Sequence, residues 1–352
     1  MTGPVAGAAA RSLPTQAAGA ATGRDSVVTS AAAGSPAAGS PGTGPVRHFT
    51  RDDDLSPAEQ AGVLALAAEL KTDRFGRRPL AGPRSVAVLF DKPSLRTRTS
   101  FAVGIAELGG YPLVIDTQTT HAGRGEAVGD VARVLASQVA AIVWRTFGQA
   151  QLEEMAAASS VPVVNALTDE FHPCQLLADL QTIQTAFGGL AGVTLTFLGD
   201  GSSNMAHSYL LAGATAGLHV RICAPEGYWP TAHVVTDAAA IAVVTGGSVA
   251  VSADPAGACA GADVLATDVW TSMGQEGQEG ARSGAMAHYS LDAAKLALAS
   301  PGCRALHCLP AHRGEEIAAD VIDGPASLVF EQAENRLHAQ KALLCFLLEG
   351  SR

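Results

Sequence analysis

Between Phe90 and Phe101 the chain reads Phe-Asp-Lys-Pro-Ser-Leu-Arg-Thr-Arg-Thr-Ser-Phe. Ser94 and Thr97 bring small hydroxyls, and Arg96 and Arg98 bring two guanidinium groups. Ser94 also suits the N-cap of a helix running from Arg96 to Leu108, which Gly109 and Gly110 close. Backbone N–H groups at a helix start, with the positive end of its dipole, favour an anion. Arginines and hydroxyls add charge-assisted bonds to phosphate oxygens. The plainer reading is a capped helix with exposed arginines. No G-x-x-x-x-G-K-[ST] is present, so this is not a P-loop.

Further polar clusters follow short apolar runs. Arg145 closes the run 140–144 and suits polarising a ligand oxygen; alone it also reads as a surface arginine. His172 and Gln175 flank Pro173 at a helix start, where imidazole and amide could both hydrogen-bond one carbonyl. A helix N-terminus disfavours a charged histidine, leaving a neutral donor; the alternative is an N-capping cluster. Gly199 to Asn204 resembles a dinucleotide loop, but position 204 is Asn, so G-x-G-x-x-G fails and Asn204 becomes a candidate ligand contact. Asp268 could hold an ammonium, and Ser272 with the Met273-Gly274 backbone a carboxylate; together they suit a zwitterionic amino acid, or else form a turn with an Asp cap. Cys308 could be a nucleophile, a soft hydrogen-bond partner or inert. His307, Cys308 and His312 offer zinc-type ligands without a fourth at metal spacing, so no metal and no cofactor is expected. The last stretch, Glu331 to Lys341, is too polar for a buried helix start, and Arg336 is a candidate to return to the phosphate site.

The elements that must position these groups alternate. Strands are expected at 85–90, 112–116, 140–144 and 161–165. Helices are expected at 57–72, 95–108, 126–138, 148–158 and 174–187. Ser56-Pro57-Ala58-Glu59 reads as a capping box. A second round has strands at 193–198, 218–223, 247–251, 262–266 and 303–307. Its helices are expected near 204–216, 231–244, 290–298 and 314–322, with a last one over 334–348. Near-continuous apolar strands between helices indicate parallel sheets covered on both faces. The fold class is therefore α/β: two doubly wound parallel-sheet domains, 47–188 and 189–330, joined near 186–192. Residues 331–352 form a closing helix. In such sheets ligands sit beyond the carboxyl ends of the strands, and each polar cluster above lies at one.

The 352 residues suffice for two domains, and 47% hydrophobic content with 16% charged fits large cores. A net charge of −10 argues against a nucleic-acid surface. No apolar stretch reaches membrane-spanning length without a break. Six scattered cysteines with no C-x-x-C point to a reducing compartment. Residues 1–46, rich in Ala, Gly, Pro, Ser and Thr, read as a disordered tail. An acid-poor tail with Arg11, Arg24 and Arg47 also admits an organelle transit peptide, against its prolines and glycines.

Ser-x-Arg-Thr-Arg, His-Pro-x-Gln, Asp-x-x-x-Ser-Met-Gly, His-Cys-Leu-Pro and Glu-Asn-Arg-x-His-x-Gln-Lys-Ala occur here in that order. Across residues 47 to 350 the chain resembles the aspartate and ornithine carbamoyltransferases, and Ser272-Met273-Gly274 with His307-Cys308-Leu309-Pro310 resembles the ornithine branch. The resemblance implies carbamoyl transfer from carbamoyl phosphate to L-ornithine, giving L-citrulline and phosphate, as in arginine biosynthesis or a urea-cycle type step. It implies a carbamoyl-phosphate domain first, an ornithine domain second and a last helix returning to the first. It implies a homotrimer with sites at subunit interfaces, and with the cysteine, charge and hydropathy readings above the expectation is a cytoplasmic enzyme with no nucleic-acid or membrane partner. By the same resemblance Ser94, Leu95, Arg96 and Thr97 hold phosphate, and Arg145, His172 and Gln175 hold the carbamoyl end. Asn204, Asp268, Ser272 and Met273 hold ornithine, while Cys308, Leu309 and Arg336 close the site. Arg145, His172 and Cys308 are the catalytic candidates. Three positions depart from the family pattern: Leu95 stands for Thr, Ser203 for Asn, and His121 for a Gln that reaches a neighbouring subunit's carbamoyl phosphate. His121 implies a weaker or pH-dependent contact. The alternatives are another acceptor amine (putrescine, an acylated ornithine or aspartate) or a non-catalytic carbamoyl-phosphate or amino-acid binding protein.

Overall fold

Two parallel sheets carry the chain in a computed structural model that describes residues 46–119, 125–271, 277 and 279–350. The tail expected over 1–46 lies outside these residues, Val46 excepted.

In the first half, α1 (Pro57–Thr72) leads to β1 (Ser85–Phe90), α2 (Arg96–Glu107) and β2 (Tyr111–Asp116). Then come α3 (Val128–Ala136), β3 (Ala141–Arg145), α4 (Gln149–Ala158), β4 (Val163–Leu167) and α5 (Pro173–Phe187). The second half runs β5 (Thr194–Leu198), α6 (Asn204–Thr215), β6 (His219–Cys223), α7 (Ala232–Thr245), β7 (Ser248–Ser252) and α8 (Pro255–Cys259). It continues with β8 (Val264–Thr267), α9 (Glu279–Met286), α10 (Ala293–Leu298), β9 (Arg304–His307), α11 (Ala319–Ile322) and α12 (Val329–Gly350).

The four-stranded sheet has the order β2-β1-β3-β4 and the five-stranded sheet β7-β6-β5-β8-β9, with every pairing parallel. Each order reverses once, between β1 and β3 and between β5 and β8. Such reversals open a crevice at the carboxyl ends of the strands, because successive crossover helices leave on opposite faces there. The central strands are buried along nearly their whole length, whereas β2 at the edge is half-exposed. One core cluster joins the inner faces of both sheets through α5, α6 and α12. The outer faces have cores of their own, Leu89 with Ile142, Trp144 and Leu152 in the first and Leu198 with Leu265 and Ile317 in the second.

Local signals explain most boundaries. Ser56 Oγ accepts from Glu59 N while Glu59 Oε2 accepts from Ser56 N, the capping box expected at α1. Gly188, at φ 76°, ends α5 in the left-handed conformation that glycine adopts without strain.

Three expectations need correction. The helix expected over 314–322 is present only as α11, because Glu316 turns inward and Ile317 bridges Leu291 and Arg313. The chain also forms α8 and α9, which no apolar period announced. The largest correction concerns α12. It begins at Val329, and Gln332, Asn335, Arg336, His338, Gln340 and Lys341 are all buried rather than solvated. Partners explain how most of that polarity is accommodated. Asn335 accepts from Lys71 Nζ at 2.8 Å and donates to Thr182 Oγ1 at 2.8 Å. Lys341 Nζ reaches Glu107 Oε2 at 2.8 Å. Gly104 lets α2 approach this closely, since a Cβ there would lie 3.0 Å from Lys341 Cγ.

Candidate active site

At the reversal of the first sheet, β1 hands over to α2. Ser94 Oγ accepts from Thr97 N at 3.2 Å, capping the helix as its sequence suggested. Leu95 is 77% exposed, so its side chain serves no core. Arg98 stacks outward over the Phe90 ring, its guanidinium carbon 4.9 Å from the centroid, while Arg96 is half-buried. Thr97 is fully buried, and its Oγ1 accepts from Arg336 Nη2 at 2.7 Å. That bond brings α12 back to the head of α2 and leaves the Thr97 hydroxyl proton to donate elsewhere.

Arg145, the last residue of β3, is 6% exposed and Arg336 is 3% exposed. The Nε of each is buried without a partner, and among the described residues neither forms an ion pair. Burial, then the neighbouring positive charge of Arg336, lowers the Arg145 guanidinium to about 10. Burial also lowers Arg336, and Arg96 adds to the effect. Two desolvated cations with a third beside them are costly unless an anion neutralises them.

His172 caps α5 and Pro173 takes the first helical position. Its backbone N–H donates to Ser208 Oγ at 2.8 Å, and Ser208 donates to the buried Asp52 at 2.6 Å. Burial first, then Arg336, Arg145 and Arg96, push the imidazole well below its ordinary value. His172 is therefore neutral at pH 7, as expected from the sequence, although desolvation rather than the helix dipole is the main cause. Its Nδ1 is buried and unpartnered. Gln175 lies beside His172 at the start of the same helix. Its amide nitrogen donates one of its two N–H groups to Asp179 Oδ1 at 2.8 Å, and its Oε1 is buried without a partner. Burial pushes Asp179 up to about 6, which still leaves it ionised above neutral pH.

The second sheet contributes a different set. Asn204 Nδ2 donates to Thr168 O at 2.7 Å, tying the start of α6 to the loop after β4. Ser203 caps that helix by accepting from Ala206 N. Asp268, just past β8, accepts from Cys308 Sγ at 3.1 Å and from Val269 N at 2.8 Å. Burial and the adjacent carboxylate raise the Cys308 thiol well above its ordinary value, so it stays protonated and donates. The thiol thus serves there as a hydrogen-bond donor to Asp268. Burial likewise raises Asp268.

Leu309 is the one non-glycine at positive φ among the described residues, at 60°. Its N–H donates to His307 Nδ1 at 2.9 Å, and His307 Nε2 faces the buried Glu316 at 3.1 Å. Both ring nitrogens of His307 thus hold the loop. Although Asp268, His307 and Cys308 offer ligand atoms within 4.8 Å of one another, no imidazole lone pair is left to a metal there. His121, Ser272 and Met273 lie outside the described residues.

The Asn204–Thr168 bond ties the start of α6, after β5, to the loop after β4, and Arg336 on α12 reaches Thr97 at the head of α2, so both strand mouths open on one crevice. Residues 47–185 match the family model for the aspartate/ornithine carbamoyltransferase carbamoyl-P binding domain, and residues 191–347 match that for the Asp/Orn binding domain. The chain belongs to the aspartate/ornithine carbamoyltransferase family. It is 62% identical over 305 residues to an ornithine carbamoyltransferase from Clavibacter sepedonicus, covering 87% of this chain and 99% of the relative. It is 59% identical to one from Leifsonia xyli subsp. xyli, covering 87% of this chain and 98% of the relative. A solved ornithine carbamoyltransferase from Pyrococcus furiosus superposes with a TM-score of 0.83 at 41% identity, covering 88% of this chain and 99% of that one.

Sequence reasoning missed several residues of this family member's crevice. Asp52 supports His172 through Ser208. Lys92 is buried, pairs with Asp169 and lies 4.3 Å from the Phe147 ring centroid, joining three strand-end loops. Asp179 carried a usable signal, lying four residues after Gln175 on one helix face. Asp52 and Lys92 carried none. Among the described residues no helix is long and apolar enough to cross a membrane.

Proposed function

We propose that this chain transfers the carbamoyl group of carbamoyl phosphate to the side-chain amine of L-ornithine, giving L-citrulline and phosphate. One observation carries the reading. Arg145, Arg336 and His172 converge with buried, unpartnered nitrogens, and three guanidinium groups crowd a crevice that, among the described residues, supplies no ion pair for Arg145 or Arg336. A small dianion with an acceptor carbonyl is what such a site binds.

In this account Ser94, Thr97, Arg96, Arg336 and the backbone at Leu95 hold the phosphoryl group, with His121 reaching in from a neighbouring subunit. Arg145, His172 and Gln175 face the carbamoyl end, and Cys308 and Leu309 close over it. Asn204, Asp268, Ser272 and Met273 hold ornithine. The neutral amine nitrogen bonds to the carbamoyl carbon, whose oxygen gains negative charge. Thr97, Arg145 and His172 donate to that oxygen, the kind of electrostatic stabilisation that dominates acyl-transfer barriers. The carbon–oxygen bond to phosphate then breaks, and the amine proton ends on the departing phosphate. Asp268, held by the Cys308 thiol, orients the amine. Written so, the step draws on side chains and backbone alone.

Residues 47–188 and 189–330 act in this proposal as the carbamoyl-phosphate and ornithine domains, and 331–352 as the helix that returns Arg336. We place the enzyme in the cytoplasm as a homotrimer, in arginine biosynthesis. An aspartate acceptor would need a basic group for its second carboxylate. Arg282, on the helix after the Ser272-Met273 stretch, instead meets Asp200 and the Trp270 carbonyl. The test is product formation from carbamoyl phosphate with ornithine, aspartate and putrescine side by side, for wild type and Arg96→Ala. Citrulline from ornithine alone, lost in the variant, is expected. Equal turnover with putrescine or aspartate would overturn the acceptor assignment, and no turnover with any amine would overturn the reaction.

A further inference from the structure

The two ends of a glutamine amide have nearly the same shape but opposite hydrogen-bonding chemistry. Around Gln175 the neighbours decide which end faces which way. The decision starts at the backbone of His307, the last residue of β9. A backbone N–H can only donate. That of His307 donates to Gln332 Oε1 at 3.0 Å, so the amide nitrogen of Gln332 is at its other end. This Nε2 donates to Asp179 Oδ1 at 2.7 Å. Oδ1 is therefore an acceptor, and any second group that hydrogen-bonds it must donate. Gln175 meets the same oxygen at 2.8 Å and can do so only through Nε2. Tyr209 occupies Oδ2 at 2.6 Å, which leaves the carboxylate no freedom to rotate. Asp179 and Gln332 are fully buried and Gln175 is 1% exposed, so water does not relax the sequence of bonds. Its last atom is Gln175 Oε1, buried and unpartnered.

We infer that Asp179, its own orientation set by Gln332 and the His307 backbone, is a positioning residue that holds Gln175 with its carbonyl oxygen toward the ligand. The Gln175 carbonyl is thereby held as an acceptor for the nitrogen of the carbamoyl group, beside Thr97, Arg145 and His172, which donate. The inference rests on the carbamoyl-transfer reading. A carbamoyl group has an oxygen that accepts and a nitrogen that donates. Thr97, Arg145 and His172 recognise the oxygen, but they recognise it equally in an acetyl group. Only an acceptor distinguishes NH2 from CH3. A buried polar group built to meet a substrate N–H is left unpaired by an analogue that lacks it, which is how such sites discriminate strongly. The relay also spans both sheets, since Asp179 lies on α5, Tyr209 on α6 and His307 on β9, with Gln332 on α12 between them.

Three ligands separate this role from a general contribution to folding. Carbamoyl phosphate is followed by its KM, and acetyl phosphate and inorganic phosphate by competitive inhibition. In Asp179→Leu the acceptor is gone and the Gln175 amide is no longer held. KM for carbamoyl phosphate should rise about tenfold, while both inhibition constants stay within about twofold, since neither inhibitor has the N–H. Asp179→Ala, a smaller truncation, should show the same pattern. Asp179→Asn keeps an oxygen toward both glutamines and lets the Tyr209 hydroxyl accept from the new amide, so it should retain most of the discrimination. Gln175→Met should match Asp179→Leu, and combining them should add little, because one acts through the other. Equal weakening of all three ligands, multiplicative effects in the double variant, or Asp179→Asn as impaired as Asp179→Leu would each overturn the inference. So would a wild type that turns over carbamoyl phosphate yet binds acetyl phosphate equally well. A wild type that makes no citrulline would overturn the functional reading itself, and this inference with it.

Discussion

At the mouth of the first sheet Arg96, Arg145 and Arg336 crowd a neutral His172, and buried nitrogens of Arg145, Arg336 and His172 lack partners. At the mouth of the second sheet the groups are matched internally. Cys308 donates to Asp268, His307 is held between Leu309 and Glu316, and Asn204 is tied to Thr168. Both mouths come from the same topology, a strand order that reverses once. The difference therefore lies in the side chains that close each strand. The first mouth stores electrostatic strain that an anion relieves. The second is an ordered surface whose polar groups largely hydrogen-bond one another. Affinity for a dianion should reside in the first and the choice of amine in the second.

Removing a donor from the unbalanced mouth should have the largest effect. Arg145→Gln should lower kcat/KM by about a hundredfold to a thousandfold, the usual loss for one oxyanion donor. The same variant should melt no lower than wild type without ligand, because a buried like charge has gone. A destabilised variant with normal turnover would reverse the comparison. At the second mouth, Asp268→Asn should raise KM for ornithine by about tenfold or more and leave KM for carbamoyl phosphate nearly unchanged, as the lost bond is from the substrate amine to a carboxylate.

Acidity gives a smaller but sharper contrast. A free alkylamine titrates near 10.4, so the neutral nucleophile is scarce at pH 7 and turnover should climb with pH until the bound complex reaches its apparent pKa. A flat profile from pH 6 to 9, with chemistry rate-limiting, would contradict amine attack. The thiol should behave oppositely to a catalytic cysteine. Because burial and Asp268 raise it, Cys308 should be alkylated by iodoacetamide more slowly at pH 7.5 than a free thiol of pKa about 8.5, its rate rising only at higher pH. Rapid alkylation at neutral pH would show a thiolate. Cys308→Ser keeps a donor to Asp268, so it should lose only a few-fold in rate.

The strands could be read from the sequence because buried parallel strands are nearly continuous apolar runs. Val86 to Phe90 and Leu195 to Leu198 stood out for that reason. The first-mouth residues could be read because each follows such a run directly, as Arg145 follows Trp144. What escaped depends on partners far along the chain. Gln332 meets Asp179 across 153 residues, and no spacing announces such a pair. The buried polar face of α12 looked like a solvated one for the same reason. Its composition is that of a surface helix, and partners distant in sequence, among them Lys71, Thr97, Glu107, Asp179 and Thr182, make it an interior one. Glu316 misled in the other direction. A helical pattern over 314–322 gave way because that carboxylate turns inward to accept from His312 N and meet His307.

Titrating inorganic phosphate calorimetrically into the protein without ornithine tests the central claim most directly, for wild type beside Arg336→Met. Phosphate should bind the wild type and raise its melting temperature as its concentration passes Kd, by the mass action of a ligand that prefers the folded state. It should bind the folded variant far more weakly. Equal binding by both, or none by the wild type, would contradict an anion site built on unbalanced charge and completed by α12.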